Sequence, residues 1–485
     1  MTQADLWLQG PLWVRLPSSQ LERRFPLVAM NGTYFSELLA SIAERGRSLL
    51  GAIPGEADPA RRGGSLADLC EGILSGRGEA SGTALAREVL DRYARLDVEG
   101  REAFFEELAR SFGPATDRLE AAVAAWRDGH SAEQAADLHY LAEPRRVELF
   151  RRLNRAPGGT ASLVVMRGDL LALVREHPHL GIVDRDLAHL LSSWFNRGFL
   201  VLRRVDWSSP AIVLEKIIRY EAVHQIGDWD DLRRRIDCED RRCYAFFHPA
   251  LSDEPLIFVE VALSVDIPGA IEPLLTPDRP MVRLAEARTA VFYSISNCQP
   301  GLAGVSFGNF LIKQVVEELR RELPRLTTFV TLSPVPGFMG WLRGEGRATF
   351  SPEQTGLLER LEDPHWPEDR SLSAELRSFL EPAAARYFIE ARTPDQRIVD
   401  SVARFHLGNG ARLERINWLG NRSPRALAES AGLMVNYLYD LDRIESNHEA
   451  YANNREVVTS SAVRRLLRSL PRSKTAAAHP ATAPV

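Results

Sequence analysis

Residues 293–342 read YSISNCQPGLAGVSFGNFLIKQVVEELRRELPRLTTFVTLSPVPGFMGWL. The run that leads into this stretch, RTAVFYSISNC (288–298), sets apolar and aromatic residues at Val291, Phe292, Tyr293 and Ile295, which predicts a strand. Gly301, Gly304 and Gly308 then punctuate a turn. Ile312, Val315, Val316, Leu319 and Leu323 recur at helical spacing, and Pro324 stops the helix. Residues 327–332 form a second, β-branched strand, which meets Ser333 and breaks at Pro334, Pro336 and Gly337. Strands that alternate with a helix in this way predict an α/β or α+β domain.

The same order of elements makes a candidate anion site. Free N–H groups at a helix N-terminus point out of the chain, and the helix dipole favours negative charge there. Glycine lets a phosphate approach the backbone closely. Ala303, Gly304, Val305, Ser306, Phe307, Gly308 and Asn309 are therefore candidates to cradle a pyrophosphate. The segment is neither GxGxxG nor a Walker loop, so glycines that serve only a tight strand–helix turn remain an open alternative. Ser333 ends its strand, where ligands commonly bind in open α/β sheets. A Ser before Pro also starts ordinary turns.

Downstream, residues 399–439 read VDSVARFHLGNGARLERINWLGNRSPRALAESAGLMVNYLY. A short helix is predicted to end near His406, with Gly408 and Gly410 as terminators. ARLERINW reads as a strand, and Ser423-Pro424 as an N-cap followed by Pro at the first helical position. In LMVNYLY, Leu433, Val435, Tyr437 and Tyr439 alternate with Met434, Asn436 and Leu438, which puts the two sets on opposite faces of a strand.

Upstream, the texture is β-rich from GFLVLRRVDW (198–207) through RRCYAFFHP (241–249) and EPLIFVEVALSV (254–265), with a helix over residues 211–220. The run DLRRRIDCEDRR (231–242) has mixed sign and reads as a solvated face or a turn, although Arg241 and Arg242 are also placed to meet a ligand's phosphates. Before residue 186 the chain reads as helices and little else. TALAREVLDRYARL, EGREAFFEELARSF, ATDRLEAAVAAWRDG and SAEQAADLHYLAEPRRVELFRRLNR all space apolar residues at three and four. The expected organisation is a helical bundle over 1–185, a mixed α+β domain over 186–470, and a disordered tail over 471–485.

The 485 residues suit two or three domains, at roughly 150 residues per domain. Apolar residues at 45% and charged residues at 26% exclude overall disorder. A net charge of −5 is too near neutral for a dedicated nucleic-acid binder. Only three of the 60 basic residues are Lys (Lys216, Lys313 and Lys474), as a GC-rich bacterial genome would give. Nothing reaches the run of ~18 apolar residues that spans a membrane, and MTQADLWLQGPLW lacks the pattern of a signal peptide. Four scattered Cys form neither a disulfide framework nor a zinc site, so a cytoplasmic protein is expected.

Five stretches together resemble malonyl-CoA decarboxylases. They are WFNRGFLVLRRVDWSSP (194–210), EAVHQIGDWDDLRRR with RRCYAFFHP, VFYSISNCQPGLAGVSFGNFLIKQVVEELRRELP, TLSPVPGFMGWL, and HLGNGARLERINW with GLMVNYLY. They run in order over about half of the chain, and LSPxPGF together with HLxNGA is specific to that family. The resemblance implies a catalytic domain similar to GNAT-type acetyltransferases, whose mixed sheet splays to admit coenzyme A. It implies catalytic roles for Ser333 (LSPxPGF) and His406 (HLxNGA), and places Ser294 (YSIS) and Tyr439 (NYxY) at the substrate. Some relatives carry Glu in the Gly-rich loop where this chain has Ser306, so that residue's role does not transfer. The implied reaction turns malonyl-CoA into acetyl-CoA and CO2 through a thioester enolate. It needs no metal and no cofactor beyond the coenzyme A of the substrate. A homo-oligomer, dimer or tetramer, is implied as well, whereas nucleic acid and membrane are not expected partners. Acyl transfer from coenzyme A and non-catalytic coenzyme A binding are the alternative functions.

Overall fold

The computed structural model describes residues 64–75, 78–305, 311–363 and 365–469. Ser306, Phe307, Gly308 and Asn309, and the expected tail, lie outside the described residues.

The N-terminal part is helical, as its spacing predicts. Helices span Leu66–Leu74, Glu79–Tyr93, Val98–Ser111, Thr116–Gly129, Ala132–Leu141, Arg145–Asn154, Gly159–Leu173 and Gly181–Trp194. Their apolar stripes meet in a core that includes Phe104, Phe105, Phe150, Leu163 and Leu187. Ser131 caps its helix through a reciprocal capping box with Gln134. The stretch from Ser131 to Arg155 is two helices, because Pro144 holds an extended backbone and a new helix starts at Arg145. The helix Gly181–Trp194 runs through residue 185 and packs on Arg145–Asn154 and Gly159–Leu173, so the helical part continues to Trp194.

One eight-stranded sheet organises the rest. Its strands are β1 (Val201–Val205), β2 (Arg241–Phe247), β3 (Pro255–Ser264), β4 (Thr289–Asn297), β5 (Thr328–Thr331), β6 (Ser333–Pro334), β7 (Arg412–Asn417) and β8 (Met434–Leu438). The order is β1-β2-β3-β4-β5-β8-β6, with β7 also on β8. Strands β1 to β4 form an antiparallel meander, while β4 and β5 run parallel. That parallel pairing ends at Phe292 opposite Thr331. Past it, β4 continues to Asn297 beside β3 alone, and a bulge shifts its register between Phe292 and Ser294. The strands therefore part at the point where Ser333 follows β5. This is the mixed, splayed sheet that the acetyltransferase-like expectation requires.

The alternation read in LMVNYLY is real. Val435, Tyr437 and Tyr439 join the larger core, together with Phe292, Phe329 and the apolar stripe Ile312, Val315, Val316 and Leu319 of the helix Leu311–Glu322. Met434 and Leu438 face the other way, onto Val330 and Leu332.

The run DLRRRIDCEDRR is not a solvated face. Arg235, Arg241 and Arg242 are all buried. Arg235 donates to the carbonyls of His224 (2.6 Å) and Gln225 (3.0 Å) and pairs with Asp231 and Glu260. Arg242 pairs with Glu322 at 2.6 Å, and Arg241 donates to the Leu274 carbonyl at 2.6 Å. These guanidinium groups balance buried acids and carbonyls, so Arg241 and Arg242 are not held out for a ligand's phosphates.

Candidate active site

Ser333 opens β6, and the parting of β4 from β5 leaves it at the mouth of the gap. His406 sits in the last turn of the helix Ser401–Gly408. Asp400 caps that helix by accepting the Ala403 N–H at 2.8 Å, and the Tyr387 hydroxyl donates to the same carboxylate at 3.1 Å. Gly410, at φ +80°, takes the left-handed conformation that turns the chain from this helix into β7.

The helix and the sheet bring Ser333 and His406 together. Ser333 Oγ lies 3.2 Å from His406 Nε2. On the other side of the ring, Nδ1 lies 2.8 Å from the Tyr439 hydroxyl. The imidazole stacks on Tyr437, with centroids 4.6 Å apart and planes at 24°. Ser333 is 5% exposed, His406 3% and Tyr439 2%, so the row is nearly dry. Burial pushes the His406 pKa down to about 3, and no acidic side chain among the described residues offsets it. Burial likewise pushes the Tyr439 hydroxyl well up, so it keeps its proton.

Two members of this row are absent from the sequence-derived set. Thr331 Oγ1 accepts the Ser333 hydroxyl at 2.9 Å and the Tyr437 N–H at 3.1 Å. Its signal is present in the sequence: Thr331 and Ser333 are two apart in extended chain and therefore share a face. Tyr437 was placed on the same face as Tyr439, but its stacking on His406 has no local signature.

Ser294 has different neighbours. Its hydroxyl lies 2.8 and 2.7 Å from the two carboxylate oxygens of Glu221 and 3.3 Å from Ser296. No hydrogen bond among the described residues joins it to Ser333 or His406. Glu221 also accepts the N–H groups of Val223 (2.8 Å) and His224 (2.7 Å). Nearby Glu260 is fully buried, and its pKa is pushed up to about 8 by that burial and by Glu221, against the pull of Arg235. Glu221 lies 73 residues before Ser294, a pairing that no spacing rule reaches.

Of the expected anion cradle, Ala303, Gly304 and Val305 are described. Together with Leu311 they line one side of a cavity of about 320 Å³ whose other side carries Phe405, Gly408 and Asn409. The glycine turn and the helix of His406 thus share one cavity. Gly304 has φ +75°, and no atom of the described residues lies within 4 Å of where a Cβ would stand. Glycine is there for its backbone conformation. Among the described residues, no group of three or more His, Cys, Asp or Glu is placed to hold a metal ion.

Family models locate the chain. The malonyl-CoA decarboxylase C-terminal domain matches residues 198–477, and the malonyl-CoA decarboxylase N-terminal domain matches residues 112–195. The chain belongs to the malonyl-CoA decarboxylase family. The mitochondrial malonyl-CoA decarboxylase of Anser anser anser is 39% identical over 414 residues, which cover 78% of this chain and 82% of that protein. The Mus musculus counterpart is 37% identical over 359 residues, 68% of this chain and 73% of that one. The crystal structure of malonyl-CoA decarboxylase from Rhodopseudomonas palustris is 56% identical, with a TM-score of 0.80, over 82% of this chain and 98% of that one. The structure from Cupriavidus metallidurans is 36% identical, with a TM-score of 0.66, over 84% of this chain and all of that one. No helix among the described residues is long and apolar enough to cross a membrane.

Proposed function

We propose that this chain decarboxylates malonyl-CoA to acetyl-CoA and CO2, with Ser333 and His406 as its catalytic residues. What carries the reading is one juxtaposition: the buried row Ser333–His406–Tyr439 is centred on His406, whose helix walls the cavity of the glycine turn.

The substrate's thioester supplies the electron sink. When the carbon–carboxylate bond breaks, its electron pair moves into the thioester as an enolate and CO2 leaves. The protein has to orient the carboxylate, stabilise the developing enolate oxygen and return one proton to carbon. No metal or organic cofactor enters this reading beyond the coenzyme A of the substrate.

Electrostatics gives His406 its timing. Before substrate binds the imidazole is neutral, since burial opposes its charge and no acidic side chain among the described residues offsets that. A malonyl carboxylate against Ser333 and Nε2 is the missing counter-charge, so substrate binding favours the imidazolium. Once CO2 has left, the imidazolium has lost its anionic partner and faces a basic carbon. Transfer of the Nε2 proton then completes acetyl-CoA. On binding, the Ser333 hydroxyl turns its hydrogen from Thr331 to the carboxylate, it returns to Thr331 once CO2 has left, and Tyr439 steadies the far side of the ring. The pyrophosphate of coenzyme A is assigned to residues 303–309. A homo-oligomer and a cytoplasmic location belong to the same proposal.

Incubation of the purified protein with malonyl-CoA tests it. CO2 and acetyl-CoA in equal amounts are expected. Free coenzyme A thiol with an acylated acceptor, or tight binding without turnover, overturns it.

A further inference from the structure

We infer that Thr331 is a positioning residue that holds His406 in the tautomer with its proton on Nε2, the nitrogen that faces the substrate. The inference rests on the assignment of Ser333 and His406 to decarboxylation.

Thr331 ends β5 and is fully buried. Its carbonyl accepts the Asn436 side-chain N–H at 2.8 Å, which ties it to β8. The Tyr437 N–H occupies one lone pair of its hydroxyl oxygen at 3.1 Å. The Ser333 hydroxyl donates to the same oxygen at 2.9 Å. A serine has one hydroxyl hydrogen, and here that hydrogen points at Thr331. What Ser333 turns toward His406 is therefore a lone pair. A lone pair 3.2 Å from Nε2 makes a bond only if Nε2 carries hydrogen. A neutral imidazole has a single ring proton, so Nδ1 is bare and accepts from the Tyr439 hydroxyl at 2.8 Å. The donors thus run in one direction, Tyr439 to His406 to Ser333 to Thr331.

The direction has a chemical consequence. The proton that will reach the substrate carbon is already on Nε2 before substrate arrives. The second proton, taken up on binding, goes to Nδ1, where the Tyr439 hydroxyl turns from donor to acceptor. After delivery the ring holds its proton on Nδ1, and the bond from Ser333 to Thr331 makes Nε2–H the state to which it returns. Without the Thr331 hydroxyl, the Ser333 hydrogen is released to point at Nε2, and the ring favours Nδ1–H.

The test compares wild type with Thr331→Val, which keeps the shape and removes the hydroxyl, and Thr331→Ser, which restores it. Nitrogen-15 NMR of histidine-labelled protein is expected to show Nε2 protonated in wild type and in Thr331→Ser, with the population moved toward Nδ1–H in Thr331→Val. Turnover of malonyl-CoA should fall roughly 10- to 100-fold in kcat for Thr331→Val, with KM within about twofold, and recover in Thr331→Ser. A wild-type His406 that rests with its proton on Nδ1 overturns the inference, and so does a Thr331→Val protein with unchanged tautomer and kcat. The wild-type spectrum decides the matter even if the valine variant fails to fold. Full turnover in Ser333→Ala and His406→Ala would instead remove the decarboxylation assignment and leave the tautomer result standing.

Discussion

The guanidinium of Arg167, in the helix Gly159–Leu173, donates to the carbonyl of Gly301 at 2.7 Å across 134 positions of chain. The same nitrogen donates to the Ala303 carbonyl at 2.8 Å, and Nε pairs with Asp184 at 2.8 Å. The contact is close because a Cβ on Gly301 would stand 1.8 Å from the Val164 carbonyl oxygen. The helical part is thus seated directly on the turn that opens the proposed coenzyme A site.

From this follows the first expectation. Arg167→Ala leaves two carbonyls and a carboxylate without their cation, which should cost about 2–4 kcal/mol of stability. A loosened turn should raise KM for malonyl-CoA roughly tenfold and change kcat little, since Ser333 and His406 are held by other elements. Steady-state kinetics decides: a loss confined to kcat would place Arg167 in the chemistry rather than in binding.

Ser333→Ala and His406→Ala should each lower turnover roughly 100-fold or more, the usual share of a general acid. Neither side chain lines the cavity walled by Ala303, Gly304 and Val305, so binding of free coenzyme A, measured calorimetrically, should stay near wild type. Wild-type turnover in both variants removes the assignment.

Tyr439→Phe keeps the ring that packs edge-on against Phe292 and deletes the hydroxyl 2.8 Å from Nδ1. The loss of one buried hydrogen bond should cost about 1 kcal/mol of stability. With nothing to hold Nδ1, kcat should fall roughly tenfold and KM should barely move. A variant with unchanged kcat would reduce Tyr439 to a packing residue.

Local rules made the sheet and the helical part legible, because both are written in periodicity. The alternation of β8 and the apolar spacing of the helices before residue 186 needed only neighbours within a few residues. The proposed catalytic pair did not come from spacing. Ser333 and His406 were identifiable through the LSPxPGF and HLxNGA resemblance, since no pattern encodes a contact across 73 positions. The errors have the same origin. Arg235, Arg241 and Arg242 read as solvated because charge runs usually are, but each also has a partner from a distant segment: Glu260 on β3 for Arg235, the Leu274 carbonyl for Arg241 and Glu322 after the glycine turn for Arg242. Ser294 lies in a matching motif, and its partner Glu221, the C-cap of the helix Ala211–Tyr220, stands 73 residues upstream, beyond the reach of any spacing rule.

Acid should expose His406 as a source of pH-dependent stability. Its pKa is pushed from 6.5 to about 3 in the folded chain. Between those values the unfolded chain binds a proton that the folded chain refuses, so stability rises with pH and is lost as pH falls through the window. Glu260 acts in the opposite sense. Its pKa is raised from 4.5 to about 8, so the folded chain holds a proton that the unfolded chain gives up, and stability falls as pH rises through that range. The two effects oppose each other, and a single wild-type curve hides both. His406→Gln removes the first alone. Its melting temperature should therefore fall less than that of wild type between about pH 6.5 and about pH 5, and follow the wild-type slope above about pH 7, where Glu260 alone acts in both proteins. Glu260→Gln should flatten the alkaline limb. Parallel wild-type and His406→Gln melting curves would mean that the folded protein does not hold this ring neutral.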